Sequence, residues 1–216
     1  NVAERHRVSR EDQDRLAAWS QQKAAAARAN GRLAEEITPV TSPGAKGATV
    51  DFAQDEFIKP ETTPEILAKL RPAFRSDGQG SVTAGNSSGI NDGACALLVA
   101  SEREVDRLRL PALARIVASA AVGVEPRLMG MGPVPATQRV LELAGLTLDQ
   151  VDVIEINEAF AAQSLACLRE LGIADDDPRV NRNGGAIALG HPLGMSGARL
   201  VLTAARELQR SRGRYA

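Results

Sequence analysis

The sequence predicts an α/β fold, because from about residue 81 onward apolar runs suited to buried strands alternate with helical patterns. The strand candidates are residues 94–99, 114–122 and 151–156. The helix candidates are the segment after a capping box at residues 101–104, then 135–144, 159–171 and 196–210. Gly145 and Gly172 follow two of these helices, as is typical of helix ends. We place a boundary near residue 80, with a smaller and looser segment before it.

The first 80 residues are predicted to form helices on either side of an irregular segment. Ser9 is the expected N-cap of a long Ala-rich helix that ends at Asn30-Gly31. Residues 37–63 are rich in proline and glycine and hold only short β-type runs such as 50–52. Thr63-Pro64 begins a short helix with proline at its first position.

Charge and composition exclude several classes of function. The 26 basic and 27 acidic residues leave a formal charge of −1, so no global field recruits nucleic acid or a membrane surface. No apolar run approaches the length of a membrane span. The two cysteines, Cys95 and Cys167, lie far apart, which argues against a disulfide framework or a metal site and predicts a cytoplasmic location. The first residue is Asn1 and not methionine, so we expect the chain to begin in the middle of a longer polypeptide.

The glycine-rich segment 181–194 carries the most informative histidine. Gly190 and Gly194 permit sharp turns around His191, and Pro192 restricts where the imidazole can point. A histidine just before a helix start is favoured in its neutral form, which a general base requires. The alternative is a loop histidine with no task.

Asn157 and Glu158 follow the strand candidate 151–156 directly. Polar groups at a strand end can orient a water or a substrate carbonyl. Alternatively, Asn157 caps the next helix and Glu158 complements the helix dipole. The two interpretations are compatible.

Two further patterns resemble known motifs only weakly. Residues 85–89 match G-x-S-x-G, the nucleophile elbow of serine hydrolases, with Ser87 as the nucleophile. An elbow needs a helix immediately after the serine, and residues 90–93 are a poor helix start. Residues 130–132 begin like a dinucleotide fingerprint, but the third glycine is missing.

Five segments, in this order, together resemble the thiolase family: 70–74, 83–89, 129–133, 157–161 and 183–192. The resemblance runs from Asn1 to Ala216. It implies two similar α/β halves packed in a five-layered sandwich, with a loop domain inserted in the first half. Residues 1–80 would supply the later part of that loop domain. Residues 81–216 would supply most of the C-terminal half, a mixed sheet with helices on both faces, truncated before its last strands.

The resemblance also implies a reaction, the thiolytic cleavage or Claisen condensation of acyl-CoA thioesters through an acyl-cysteine. His191 is similar to the family's catalytic histidine, and Asn157 to the asparagine that holds a water in the oxyanion hole. Coenzyme A is then a substrate, no metal is needed, and the complete enzyme is a homodimer or homotetramer. The positions similar to coenzyme A contacts are Phe74, Ala84, Ser88, Met129, Ala159 and Phe160.

The family's nucleophilic cysteine belongs to an N-terminal half that this chain lacks. Cys95 and Cys167 match neither of the family's two catalytic cysteines, and we expect both to be inert core residues. We therefore expect no thiolysis from this chain alone. The missing N-terminal half is its expected partner.

Residues 171–181 look most like beta-ketoadipyl-CoA thiolases, which act in aromatic-acid breakdown, although Arg182 departs from the proline or small apolar residue expected there. An acetoacetyl-CoA thiolase is the alternative within the family. Outside it, a serine hydrolase using Ser87 or a non-catalytic coenzyme A-binding fragment are the competing classes.

Overall fold

Helix α2 (Arg10–Ala29) lies at the centre of the structure, a computed structural model that describes all residues from Asn1 to Ala216. Ser9 caps it, since its Oγ accepts a hydrogen bond from Asp12 N at 3.0 Å. Buried alanines on α2 pack against α3 (Pro64–Leu67), α6 (Ala161–Glu170) and α7 (Ala186–Leu189). Small side chains let these helices approach closely.

The largest core cluster surrounds α6. Residues 161–168 of this helix are all buried, and Leu165 and Leu168 pack with Val8, Val134 and Val180. Glycines end the predicted helices as expected, because Gly145 and Gly172 both have positive φ angles. The other helices are α1 (Val2–Arg5), α4 (Glu102–Leu108), α5 (Pro133–Ala144) and α8 (Leu193–Ser211).

The only sheet is small. Strands β1 (Val40–Pro43) and β2 (Thr49–Phe52) pair antiparallel, with Val40 opposite Phe52. They are joined by a 3₁₀ turn at Ala45–Gly47, and both strands are largely exposed. Two more 3₁₀ segments occur at Pro126–Met131 and Leu148–Gln150. No helix is both long enough and apolar enough to span a bilayer.

Three predicted strands do not form. Residues 94–99 and 114–122 make no backbone hydrogen bonds within the chain, and Leu98 is 84% exposed instead of buried on both faces. Residues 151–156 form a single parallel bridge, between Ile154 and Val180. A strand is held by hydrogen bonds to a neighbouring segment, and no segment of this chain hydrogen-bonds to the backbone of 94–99 or 114–122.

Candidate active site

Asn157 and His191 meet at the centre of the candidate site. Asn157 Nδ2 lies 3.1 Å from His191 Nε2. Asn157 follows the extended segment 151–156, and His191 lies between α7 and α8. The sequence predicted a role for each residue, and the fold brings them into hydrogen-bond contact.

The turn at Gly190 places His191 in this position. Gly190 has a φ of +93°, and a Cβ there would collide with the side chain of Asn91. His191 N donates to the carbonyl of Gly89 at 3.3 Å, which ties the histidine to the predicted motif at residues 83–89. Glycine is therefore required at residue 190 both for backbone conformation and for space.

The hydrogen-bond partners of the His191 ring define its tautomer. Ser196 Oγ, in the first turn of α8, lies 2.6 Å from His191 Nδ1 and donates to the carbonyl of Pro192 at 3.0 Å. A hydroxyl has one hydrogen, so Ser196 accepts from the Nδ1–H of His191. The lone pair of Nε2 then faces the N–H of Asn157. Sequence reasoning missed Ser196, although its place in the first turn of the helix after His191 was a usable signal.

The electrostatic surroundings favour a neutral imidazole. Burial lowers the pKa of His191, and the positive charge of Arg199 lowers it further. The sequence predicted a neutral ring from the helix dipole; the direction agrees, but desolvation is the larger cause. A neutral ring whose Nε2 carries a lone pair can accept a proton once a donor replaces the Asn157 N–H.

Asn157 does not cap helix α6. The N-cap of that helix is Phe160, so the capping alternative for Asn157 is wrong. Asn157 Oδ1 is buried and accepts no hydrogen bond from the protein. Such an acceptor can receive an O–H or N–H donor from a bound molecule.

Four of the predicted coenzyme A-contacting residues are neighbours. The N and Oγ of Ser88 both donate to the carbonyl of Ala159, at 3.0 and 3.1 Å. Ser87 and Phe160 form an isolated antiparallel bridge, and the rings of Phe74 and Phe160 meet edge to face at 6.1 Å. Ala84 lies exposed in the same loop as Ser88. Met129 is exposed on the 3₁₀ segment that packs against α6.

The geometry opposes a hydrolase site at Ser87. Its hydroxyl donates to the carbonyl of Thr83 at 2.7 Å, and no helix begins after it. The His191 ring hydrogen-bonds to Asn157 and Ser196, His6 lies near Glu170, and neither histidine is hydrogen-bonded to Ser87. Ser87 therefore has no histidine partner.

The two cysteines have different environments. Cys167 is buried, its Sγ donates to the carbonyl of Gly130 at 3.2 Å, and burial raises the pKa of its thiol. The prediction of an inert core residue is confirmed for Cys167. It is wrong for Cys95, which is partly exposed because the strand around it does not form. No three His, Cys, Asp or Glu side chains are grouped closely enough to hold a metal ion.

Two family models together match almost the whole chain. The family model described as "Thiolase, N-terminal domain" matches residues 1–103, and "Thiolase, C-terminal domain" matches residues 110–216. The chain belongs to the thiolase family, and its fold is the α/β fold of that family.

Individual relatives extend the comparison. The chain is 60% identical, over all its 216 residues and 53% of the relative, to the 3-oxoadipyl-CoA/3-oxo-5,6-dehydrosuberyl-CoA thiolase of Escherichia coli K12. It is 56% identical over 210 residues, 97% of this chain and 52% of the relative, to an acetyl-CoA acetyltransferase of Pseudomonas aeruginosa. Human mitochondrial 3-ketoacyl-CoA thiolase superposes with a TM-score of 0.93 at 46% identity, covering 99% of this chain and 53% of that one. The chain thus spans about half the length of the relatives it matches.

Proposed function

We propose that this chain is the part of an acyl-CoA C-acyltransferase that supplies its catalytic histidine and asparagine. The observation that carries the proposal is the 3.1 Å contact between Asn157 Nδ2 and His191 Nε2, with Ser196 on the opposite ring nitrogen. The reaction is the thiolytic cleavage of a 3-oxoacyl-CoA, or the reverse Claisen condensation. The names of the relatives point to 3-oxoadipyl-CoA as the substrate.

In this proposal His191 acts as a base toward a cysteine that the rest of the enzyme supplies. Its Nε2 lone pair exchanges the Asn157 N–H for the thiol S–H and accepts the thiol proton. Ser196 accepts from Nδ1–H and so stabilises the imidazolium that forms. The lowered pKa keeps the ring neutral, and therefore able to accept the proton, before the reaction. Asn157 then offers N–H to developing negative charge, while its buried Oδ1 orients a water.

Coenzyme A is the proposed second substrate. Phe74 and Phe160 are exposed, and Ser88 and Ala159 beside them are half-buried, so the four residues form one accessible surface. We assign the pantetheine arm to this surface, together with Ala84 and Met129. Apolar walls with a few polar groups suit such a chain. No metal takes part in this reaction.

The proposed assembly is a homodimer or homotetramer that contains the missing N-terminal half, in the cytoplasm. Within this chain we assign residues 1–80 to the later part of the loop domain and 81–216 to the C-terminal domain, whereas the two family models meet between residues 103 and 110. The exposed apolar runs at 94–99 and 114–122 support the need for further polypeptide, because contiguous apolar surface of this kind is normally covered.

The test replaces the matching half of the E. coli relative with residues 1–216 of this chain, which restores a nucleophile. Loss of 3-oxoadipyl-CoA in the presence of coenzyme A is the readout. We expect turnover, reduced about 10²- to 10⁴-fold by His191→Ala and unchanged by the matched control His6→Ala. Undiminished turnover in His191→Ala would overturn the proposal.

The other classes predict different results. A preference for acetoacetyl-CoA over 3-oxoadipyl-CoA in kcat/KM would favour the acetyltransferase alternative, which the P. aeruginosa relative supports. Coenzyme A binding by calorimetry without turnover in the folded chimera would favour a non-catalytic fragment. Ester hydrolysis by the isolated chain that disappears in Ser87→Ala would favour a hydrolase.

A further inference from the structure

Glu158 is a buried carboxylate directly beside the candidate catalytic asparagine. Its side chain is 4% exposed and accepts three hydrogen bonds. The donors are Ser20 Oγ at 2.6 Å, Asn181 Nδ2 at 2.8 Å and Ile187 N at 3.3 Å. A buried charge is costly unless it is fully hydrogen-bonded, and this one is held by donors from two separate parts of the chain.

These donors connect the segment that carries Asn157 with the segment that carries His191. Ser20 lies in the central helix α2, and Asn181 and Ile187 belong to the glycine-rich segment that leads through α7 to His191. Asn181 also holds the backbone before Asn157, because its side chain bonds the N and the carbonyl of Ile156, both at 2.9 Å. The Glu158 carboxylate therefore binds Asn181, which holds the backbone before Asn157, and Ile187, which precedes His191 in the same segment.

Gly185 shows how closely these segments fit. Its N donates to Ser20 Oγ at 3.0 Å, so the serine bridges Gly185 and Glu158. A Cβ on Gly185 would occupy the space of the Glu158 carboxylate. The absence of a side chain at residue 185 lets the carboxylate reach the backbone of α7.

A second charge lies close to this network. Lys23, one turn along α2 from Ser20, donates to the carbonyl of Val180 at 2.8 Å. Burial lowers the pKa of Lys23, and the negative charge of Glu158 opposes that shift. The carboxylate thus has an electrostatic counterpart on the same helix that it bonds.

We propose that Glu158 is a positioning residue, which holds Asn157 Nδ2 against His191 Nε2 by binding both segments to α2. The consequence of this positioning for turnover rests on the proposed function. The competing explanation is that Glu158 contributes to overall stability only, without influencing His191.

Histidine NMR on the 216-residue chain separates these explanations, because His6 and His191 are the only histidines. His191→Gln assigns the two signals. In Glu158→Gln, we expect the His191 signal to shift and its titration midpoint to rise toward the ordinary value of about 6.5, because a released ring gains solvent. If the His191 ring did not move, loss of the negative charge of Glu158 would lower the titration midpoint of His191 instead. The His6 signal should stay unchanged.

Glu207→Gln is the matched control. Glu207 is 2% exposed and accepts from Asn183 Nδ2 at 2.9 Å and Arg210 Nη1 at 2.6 Å, but makes no bond to residues 185–191. It should lower the melting temperature and leave His191 unchanged. Ser20→Ala removes a single donor at a small side chain, and should move the His191 signal in the same direction by less. If neither Glu158→Gln nor Ser20→Ala moves the His191 signal, the proposal is wrong. If Glu158→Gln does not fold, an unchanged His191 signal in Ser20→Ala is enough to refute it.

Kinetics of the chimera adds an independent readout. We expect Glu158→Gln to lower kcat about 10- to 100-fold, with KM changed by less than about 3-fold, since misplacement affects the reacting groups more than binding. Equal losses in Glu158→Gln and Glu207→Gln would contradict a positioning role. If the unsubstituted chimera is inactive, the thiolase proposal fails while the NMR result still decides the role of Glu158.

Discussion

Helix α6 and the run 94–99 are both apolar, yet one forms the best-packed part of the molecule and the other is exposed. Leu165 in α6 is 1% exposed, whereas Leu98 is 84% and Val99 72% exposed. A helix satisfies its own backbone and needs neighbours only for its side chains, while a strand needs another segment for both. Apolar sequence therefore predicts burial reliably only where the partner lies in the same chain.

Leucine-to-alanine substitutions in the two regions should have very different effects on stability. Leu165→Ala should lower the free energy of unfolding by about 2–5 kcal/mol, because it leaves a cavity in the core around α6. Leu98→Ala should change it by less than about 0.5 kcal/mol. Urea unfolding followed by circular dichroism measures both. Equal losses would mean that the run 94–99 is packed in solution.

Glycine-to-alanine substitutions should also differ in effect within the packed part of the molecule. Gly184 has a φ of +80°, and a Cβ there would lie 2.7 Å from Ser20 O and 2.9 Å from Ala24 N on α2. Gly184→Ala should cost about 2–4 kcal/mol through strain and overpacking. Gly197→Ala, in the open interior of α8, should instead stabilise by about 0.5–1 kcal/mol. Thermal unfolding of the pair tests how closely α2 and the glycine-rich segment fit.

Buried charge gives the packed part a pH dependence. Burial raises the pKa of Glu155 to about 8, although Arg199 Nη1 lies 3.2 Å away. Between about pH 4.5 and 8 the folded state then binds a proton that the unfolded state has released, so stability falls as pH rises. The slope reaches at most about 1.4 kcal/mol per pH unit. Glu155→Gln should flatten the stability–pH curve, and exposed Glu142→Gln should not; identical curves for both variants would refute the assignment.

Helix caps should show the smallest difference. Ser9→Ala should cost about 1 kcal/mol, because Ser9 caps the central helix α2. Ser101→Ala should lower the stability by only a few tenths of a kcal/mol, because α4 has no buried residue that couples its folding to the core. Comparable losses in thermal unfolding would show that α4 is docked in solution.

What the sequence could predict follows the same division. Caps and helix ends at Ser9, Ser101 and Gly145 were predictable, because each depends on residues within one turn. His191 and Asn157 could be proposed from motifs, and the family resemblance implied that they face each other. Ser196 as the ring partner and Ser20 as the partner of Glu158, 138 residues apart in sequence, needed the fold. The failed strands were apolar in sequence, and pattern alone does not reveal whether a pairing segment exists.

The two thiols have a practical consequence for anyone handling the protein. A modifying reagent meets Cys95 on the native surface, but reaches Cys167 only when α6 separates from Gly130. The first labelling rate therefore reports on the reagent, and the second on how often the core opens. Labelling of the two thiols, followed by mass spectrometry, therefore measures local opening of the core without any substitution.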